Sequence, residues 1–245
     1  MINLNFAYIY TMKLPKLLIA FFLTLVCQGS FGQKLSKIER EYFILGTLND
    51  YMGREPDTEL KNYLDRYDIT EISLEIAVDS LLRKDYPTSS YKIKRDTIAE
   101  FHMYGASIIS ASLTQKFDAY HNFGRTNTNP VGAGILRKNI FRNDNEKLAF
   151  LAGAYVRFGI PNDTSYEIII GNSASKARVC FELLFYFKCA PIYDIIEENI
   201  PVPHIIYFHP AKKVKMYLQQ FLYLRERLEA SKKMLFRRVR FRKKN

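Results

Sequence analysis

Three cysteines, four histidines and no apolar run of membrane-spanning length are what this 245-residue chain offers where many proteins keep staples, metals or anchors. Each shortage excludes something. Cys27 falls in the N-terminal apolar stretch, which leaves Cys180 and Cys189. On one continuous helix, nine residues place them about 13 Å apart along the axis, beyond the roughly 7 Å Cα limit of a disulfide. Two free thiols are expected, and the core must carry the stability.

The histidines do not share a ligand spacing. His204 and His209 are an odd number of strand residues apart and face opposite sides, while His102 and His121 are far apart on any helix. No His-Glu-x-x-His, Cys-x-x-Cys or EF-hand pattern occurs, so no metal site and no cofactor are expected. No internal repeat is visible.

What is present begins at the N-terminus. Lys13 and Lys16 precede "LLIAFFLTLVC", residues 17–27. Eleven residues make a helix of about 16 Å, too short for a bilayer core of about 30 Å. With Ser30-Phe31-Gly32 behind it, the stretch resembles a Sec-type signal of Gram-negative bacteria, cleaved before Gln33 and started at Met12. Val26 before Cys27 argues against a lipoprotein. The resemblance implies a periplasmic or secreted protein, divided into a signal (1–32), one globular domain (33–231) and a basic tail (232–245).

The formal charge of +11 is unevenly spread. Residues 33–210 carry 21 basic and 23 acidic side chains, whereas residues 211–245 carry 13 basic against Glu226 and Glu229. A seam of Val214, Tyr217, Phe221, Leu224 and Leu228 describes an amphipathic helix. Beyond it, Lys232, Lys233, Arg237, Arg238, Arg240, Arg242, Lys243 and Lys244 form a run without an acid. Its expected partner is an anionic membrane surface or lipopolysaccharide. Nucleic acid is the weaker partner, because the body shows no second basic cluster in sequence.

The periodicity predicts a mainly α protein with a small β component. Helices are expected over 34–53, at "DTELKNYLDRY", over 70–86, and from Thr97 to His121 as one long helix. The last carries small residues, Gly105 to Ser112, suited to pack on Ala149–Ala154 of "NEKLAFLAGAYVRFG". "YEIIIG" and "PHIIYFHP", with a helix between them, are read as a parallel two-stranded βαβ unit. The alternative is an α+β fold with a larger sheet, including a hairpin at 152–171.

Two places invite chemistry. In Gly171-Asn172-Ser173-Ala174-Ser175-Lys176, a strand turns into a helix. Ser173 and Lys176 are weak catalytic candidates for an envelope serine hydrolase, with Asp194 and His204 or His209 following in order. Asn172, Ser173, Ser175 and Lys176 would equally make an anion cradle, and simple helix capping is the preferred reading. The second place is the Gly/Asn-rich loop from Asn122, where His121, Arg125 and Asn127 could bind a polar ligand. The leading expectation is an exported, non-catalytic binding protein.

Overall fold

A computed structural model of the chain describes residues 35–50, 62–95, 104–123, 134–161, 165–171, 173–196 and 202–242. Two compact units divide it, residues 1–36 and 37–245, and the second holds the elements that follow. Among the described residues, no helix is long and apolar enough to cross a membrane.

Among the described residues, seven α-helices and nine strands in three sheets make an α+β fold. They are α1 (Lys37–Thr47), β1 (Tyr63–Asp68), α2 (Ile72–Asp85), β2 (Lys92–Arg95), β3 (Tyr104–Ile109), α3 (Ala111–Asp118), β4 (His121–Phe123) and β5 (Gly134–Leu136). Then come α4 (Asp144–Phe158), β6 (Gly159–Pro161), β7 (Tyr166–Gly171), α5 (Ala174–Tyr186), β8 (Ile192–Ile196), β9 (Pro203–Phe208), α6 (Lys212–Gln219) and α7 (Leu222–Arg242).

The mainly-α expectation is therefore corrected. "YEIIIG" and "PHIIYF" do pair, but antiparallel, with Ile168 opposite Ile206. The reason is β8, inside a stretch the helical reading left unassigned. β8 runs parallel to β7 and is reached over α5, so the crossover ends on β8, and β9 returns between the two, antiparallel to both. The sheet has four strands, in the order β6-β7-β9-β8. Residues 152–158 belong to α4, and the hairpin into β7 begins only at Gly159.

The expected long helix 97–121 also fails. Its middle is β3, and a helix starts afresh when Ser110 Oγ accepts the Leu113 N–H at 3.2 Å. Ile108 and Ile109, β-branched and next to a good N-cap, outweighed the helical spacing. "NYLDRY" supplies most of β1, which pairs with β3 through a register shift between Tyr63 and Asp65, with Leu64, Asp65 and Tyr67 buried.

The topology is a duplication. A helix, a strand, a helix, two strands and a helix (α1, β1, α2, β2, β3, α3) recur as α4, β7, α5, β8, β9, α6. The sheet orders match as well, β1-β3-β2 against β7-β9-β8, all antiparallel. The β4–β5 hairpin stands between the halves.

The halves meet along α1 and α4, and the contact is reciprocal. A Cβ on Gly46 would lie 2.1 Å from the Phe150 carbonyl oxygen, and one on Gly153 would lie 2.0 Å from the Phe43 oxygen. Each glycine is three residues beyond the phenylalanine that its counterpart touches, which relates the two helices by an approximate two-fold. Only glycine lets two helix backbones come this close. Phe43-Ile44-Leu45-Gly46-Thr47 and Phe150-Leu151-Ala152-Gly153-Ala154 are the sequence trace of the repeat.

The C-terminal seam is spent on this core. Val214, Leu218, Phe221, Leu224 and Leu228 are buried, with Phe221 stacked on Phe43 at 4.9 Å between centroids. The chain bends between α6 and α7, and α7 then runs along α4 toward its C-terminal end.

Candidate functional site

The charged chemistry of the molecule gathers where α1 and α4 end. Counting four residues on from each central glycine reaches Asp50 in one half and Arg157 in the other. Each crosses to the opposite half. Arg157, 2% exposed, donates from Nη1 to Asp65 Oδ2 at 2.6 Å and to the Thr47 carbonyl at 2.8 Å. Its Nη2 donates to Glu71 Oε2 at 2.7 Å and to the Arg66 carbonyl at 2.6 Å, and Nε donates to Glu71 Oε1 at 3.0 Å. A planar fork with five donors suits such a network, and a lysine could not reproduce it.

Asp50 makes the converse pair, its Oδ1 lying 3.0 Å from Lys176 Nζ. Lys176 also donates to the Gly46 and Leu48 carbonyls at the end of α1. A cation there satisfies acceptors that a helix end leaves open and meets the negative end of its dipole.

Burial and charge act in opposite directions on these groups. Burial alone would depress Arg157, but Asp65 and Glu71 drive its pKa well above the ordinary arginine value. Burial opposes ionisation of Glu71, yet Arg157 and the Asp68 amide hold its carboxyl below the usual range. Asp65 differs: burial outweighs Arg157 and raises it.

The Ser173 turn does not assemble a catalytic set. Ser173 precedes α5 at the N-cap position without a side-chain capping bond, and its buried Oγ has no hydrogen-bond partner. Capping, the preferred sequence reading, is thus not what this hydroxyl does. Lys176 is 1% exposed and fully engaged with Asp50 and α1, so it is held away from any anion at this turn. His204 Nδ1 and Asp194 Oδ1 are 3.8 Å apart on neighbouring strands, too far for a hydrogen bond. We expect Ser173→Ala to melt within about 0.5 kcal/mol of the wild type, since no bond is lost. A fluorophosphonate probe that labels the wild type at Ser173 would contradict this geometry.

Ser175 and His121 are drawn together through the hairpin. Ser175 Oγ accepts the Leu136 N–H at 3.3 Å, and Leu136 is registered opposite His121. His121 is 2% exposed, with Nδ1 3.1 Å from the Phe117 carbonyl, so its ring serves packing. Asn172, Arg125 and Asn127 lie outside the described residues. Among the described residues, no group of three or more His, Cys, Asp or Glu could hold a metal. Cys180 and Cys189 are buried free thiols, and burial pushes Cys180 up to about 12.

The basic run is carried on α7 as far as Arg242, so Lys232, Lys233, Arg237, Arg238, Arg240 and Arg242 are helical residues. Lys243 and Lys244, and the N-terminal stretch read as a signal, lie outside the described residues.

Sequence reasoning missed the outer faces of the two sheets. In the first sheet, Arg95 bridges to Glu75 of α2, which identifies the inner face. The other face presents Arg66 and Lys94 across Ser107, and Tyr63 and Lys92 across Ile109. Arg66 lies over the Tyr63 ring at 4.8 Å, and Lys92 and Lys94 are exposed. In the second sheet, Tyr166 stacks on Tyr155 of α4, so the opposite face is outward. It carries Glu167, Tyr207 and Tyr193 in one row, and Ile169, Ile205 and Ile195 in the next. Tyr193 is 60% exposed. A bulge between Tyr63 and Asp65 breaks the period-two pattern of β1, and β2 is four residues long and charged, so neither face declared itself in sequence.

No known protein family matches the sequence, and no curated protein is similar to it. Solved structures do resemble the fold. Full-length DUF199/WhiA from Thermatoga maritima shares 13% identity over 83% of this chain and 61% of its own, with a TM-score of 0.49. This chain thus spans about three-fifths of that protein. I-DmoI in complex with DNA and Ca shares 12% identity over 74% of this chain and 88% of its own, with a TM-score of 0.45. Mesophilic variants of the homing endonuclease I-DmoI give 12% identity, 77% and 98% coverage, and a TM-score of 0.46.

At identities of 12–13% the likeness is one of fold alone. The neighbours are WhiA and a homing endonuclease, the latter solved with DNA. The periplasmic or secreted localisation and the membrane or lipopolysaccharide partner are withdrawn, as is the ranking of nucleic acid as the weaker partner. The physical source of the error is plain. A short apolar run after two lysines is a compositional signal, and a near-neutral body can still concentrate its cations on one sheet face.

Proposed function

We propose that the protein is a non-catalytic nucleic-acid-binding protein that uses the outer faces of its two sheets. The observation that carries this reading is their chemical asymmetry on one shared topology. The first face sets Arg66, Lys92 and Lys94 beside Tyr63, whereas the second sets Tyr193 and Tyr207 beside isoleucines. Cations neutralise phosphates, and tyrosine rings on a sheet give unpaired bases a surface to stack on. Lys92 and Lys94 are alternate residues of one strand, about 7 Å apart, and point the same way.

Support for a non-catalytic role comes from the seam. Asp50, Asp65 and Glu71, the acids nearest the helix ends, are each bound to a buried cation. Side chains engaged in this way serve to hold the two halves together.

Fluorescence anisotropy with labelled single-stranded and duplex oligonucleotides tests the reading. Binding should weaken steeply with salt, and Lys92→Glu with Lys94→Glu should lower the salt slope by about 2. Tyr193→Ala should weaken the single strand more than the duplex. Unchanged affinity and slope in the lysine variant would remove the sheet face as the binding surface.

A further inference from the structure

A cavity of about 350 Å³ lies between the end of α4, the β6–β7 hairpin and α7. Its charged lining is four cations, Arg157, Arg225, Lys232 and Lys233, against two acids, Glu71 and Glu229. The acids are already committed. Glu71 accepts from Arg157, and Glu229 accepts from Arg225 Nη2 at 2.6 Å while facing Lys233 at 3.8 Å.

Two cations are left short of acceptors. Arg225 is 1% exposed, and its Nε and Nη1 are buried without a hydrogen-bond partner. Lys232, half-buried, makes no ion pair among the described residues and lies seven residues further along α7. That spacing sets both on the same side of the helix. A buried donor on a charged group is costly to leave unmade. Burial, with Arg225 next to it, pushes the Lys232 pKa below the ordinary lysine value, as expected of an ammonium lacking its counter-charge.

We propose that this cavity binds a phosphate group, held by Lys232 and by the guanidinium of Arg225. Several oxygens on one centre match a fork of N–H donors next to an ammonium better than a single carboxylate does. The cavity exceeds one phosphate in size, and its Ile160 and Ile169 wall accommodates what the phosphate carries. This surface is distinct from Lys92 and Lys94, and the proposal does not rest on the sheet-face reading.

Isothermal titration of the full chain with inorganic phosphate, against chloride at matched ionic strength, tests it. The wild type should bind saturably. Lys232→Met should bind at least about tenfold more weakly, the loss of one charge-assisted contact. Circular dichroism should show that variant folded, since the half-buried Lys232 makes no bond to lose, whereas Arg225→Gln is the variant at risk. Lys92→Glu with Lys94→Glu should bind phosphate as the wild type does, which separates this site from the sheet face. Competition by adenosine monophosphate alone would assign the site to a free phosphate monoester. Competition by oligothymidylate as well would assign it to a nucleic-acid backbone, and either result sustains the site. No saturable signal beyond chloride, or equal affinity in Lys232→Met, would overturn the proposal.

Discussion

Gly153→Ala should lose about 3 kcal/mol of stability in urea denaturation, and Gly46→Ala a similar amount, near the upper end for overpacking. The methyl group at either site would meet a carbonyl oxygen of the facing helix, 2.0 Å away at Gly153 and 2.1 Å at Gly46. A backbone atom inside a helix cannot rotate aside as a side-chain tip can, so the whole α1–α4 contact must open. That contact lies on the axis of the duplication and orients both sheets. The double variant offers a sharper check. One separation of the helices relieves both collisions, so its cost should fall well below the sum of the two single costs. Strict additivity would show that the helices yield locally and independently.

Arg157→Met should cost about 3–5 kcal/mol at neutral pH, because Asp65 and Glu71 would stay buried without their cation. The pH dependence separates this cause from mere loss of packing. In the wild type the two carboxylates act with opposite sign. Glu71, held below its ordinary pKa, adds stability that is present above the unfolded value and is lost as pH falls through the folded one. Asp65, raised by burial, favours the folded state as pH falls. Without Arg157 both carboxyls should rise, and both should then favour folding on acidification. The deficit of Arg157→Met relative to the wild type should therefore shrink between about pH 7 and pH 5. A deficit of constant size over that interval would point to a cavity instead. Asp65→Asn in the Arg157→Met background should recover part of the loss, since it removes one of the stranded charges.

The exchange of acid for base between Asp50 and Arg157 has a structural meaning. An acid at position 157 would face Asp65 and Glu71 and be repelled, whereas the acid at position 50 faces the Lys176 cation. With one of each sign, the first half complements the second better than it complements itself. A like-with-like pairing of halves would bury unpaired charge, which discriminates against it. The pairing holds one arrangement within one chain.

The sequence alone determined several things about this protein. Phe221, Leu224 and Leu228 had to be buried, because their spacing makes one helix face, and no structure was needed to see it. The strands at 166–171 and 203–208 followed from their β-branched runs, whereas the helix expected to carry both Cys180 and Cys189 stops at Tyr186, and the two thiols are free with Cys189 beyond its end. The direction of those strands did not follow, since it depends on β8, five residues with too little pattern to declare themselves. The small residues of Ala149–Ala154 announced a close helix contact, but only the fold could say that the partner was Gly46 and not the Gly105–Ser112 stretch. A contact across more than a hundred residues leaves no local trace beyond a glycine. Lys176 and Arg157 show the same limit most clearly. In sequence they are ordinary surface-type cations, one beside a serine turn and one near a helix end. Their roles come from carboxylates and carbonyls that the duplication brings to them from the other half, and side-chain periodicity encodes burial but not the charge that waits there.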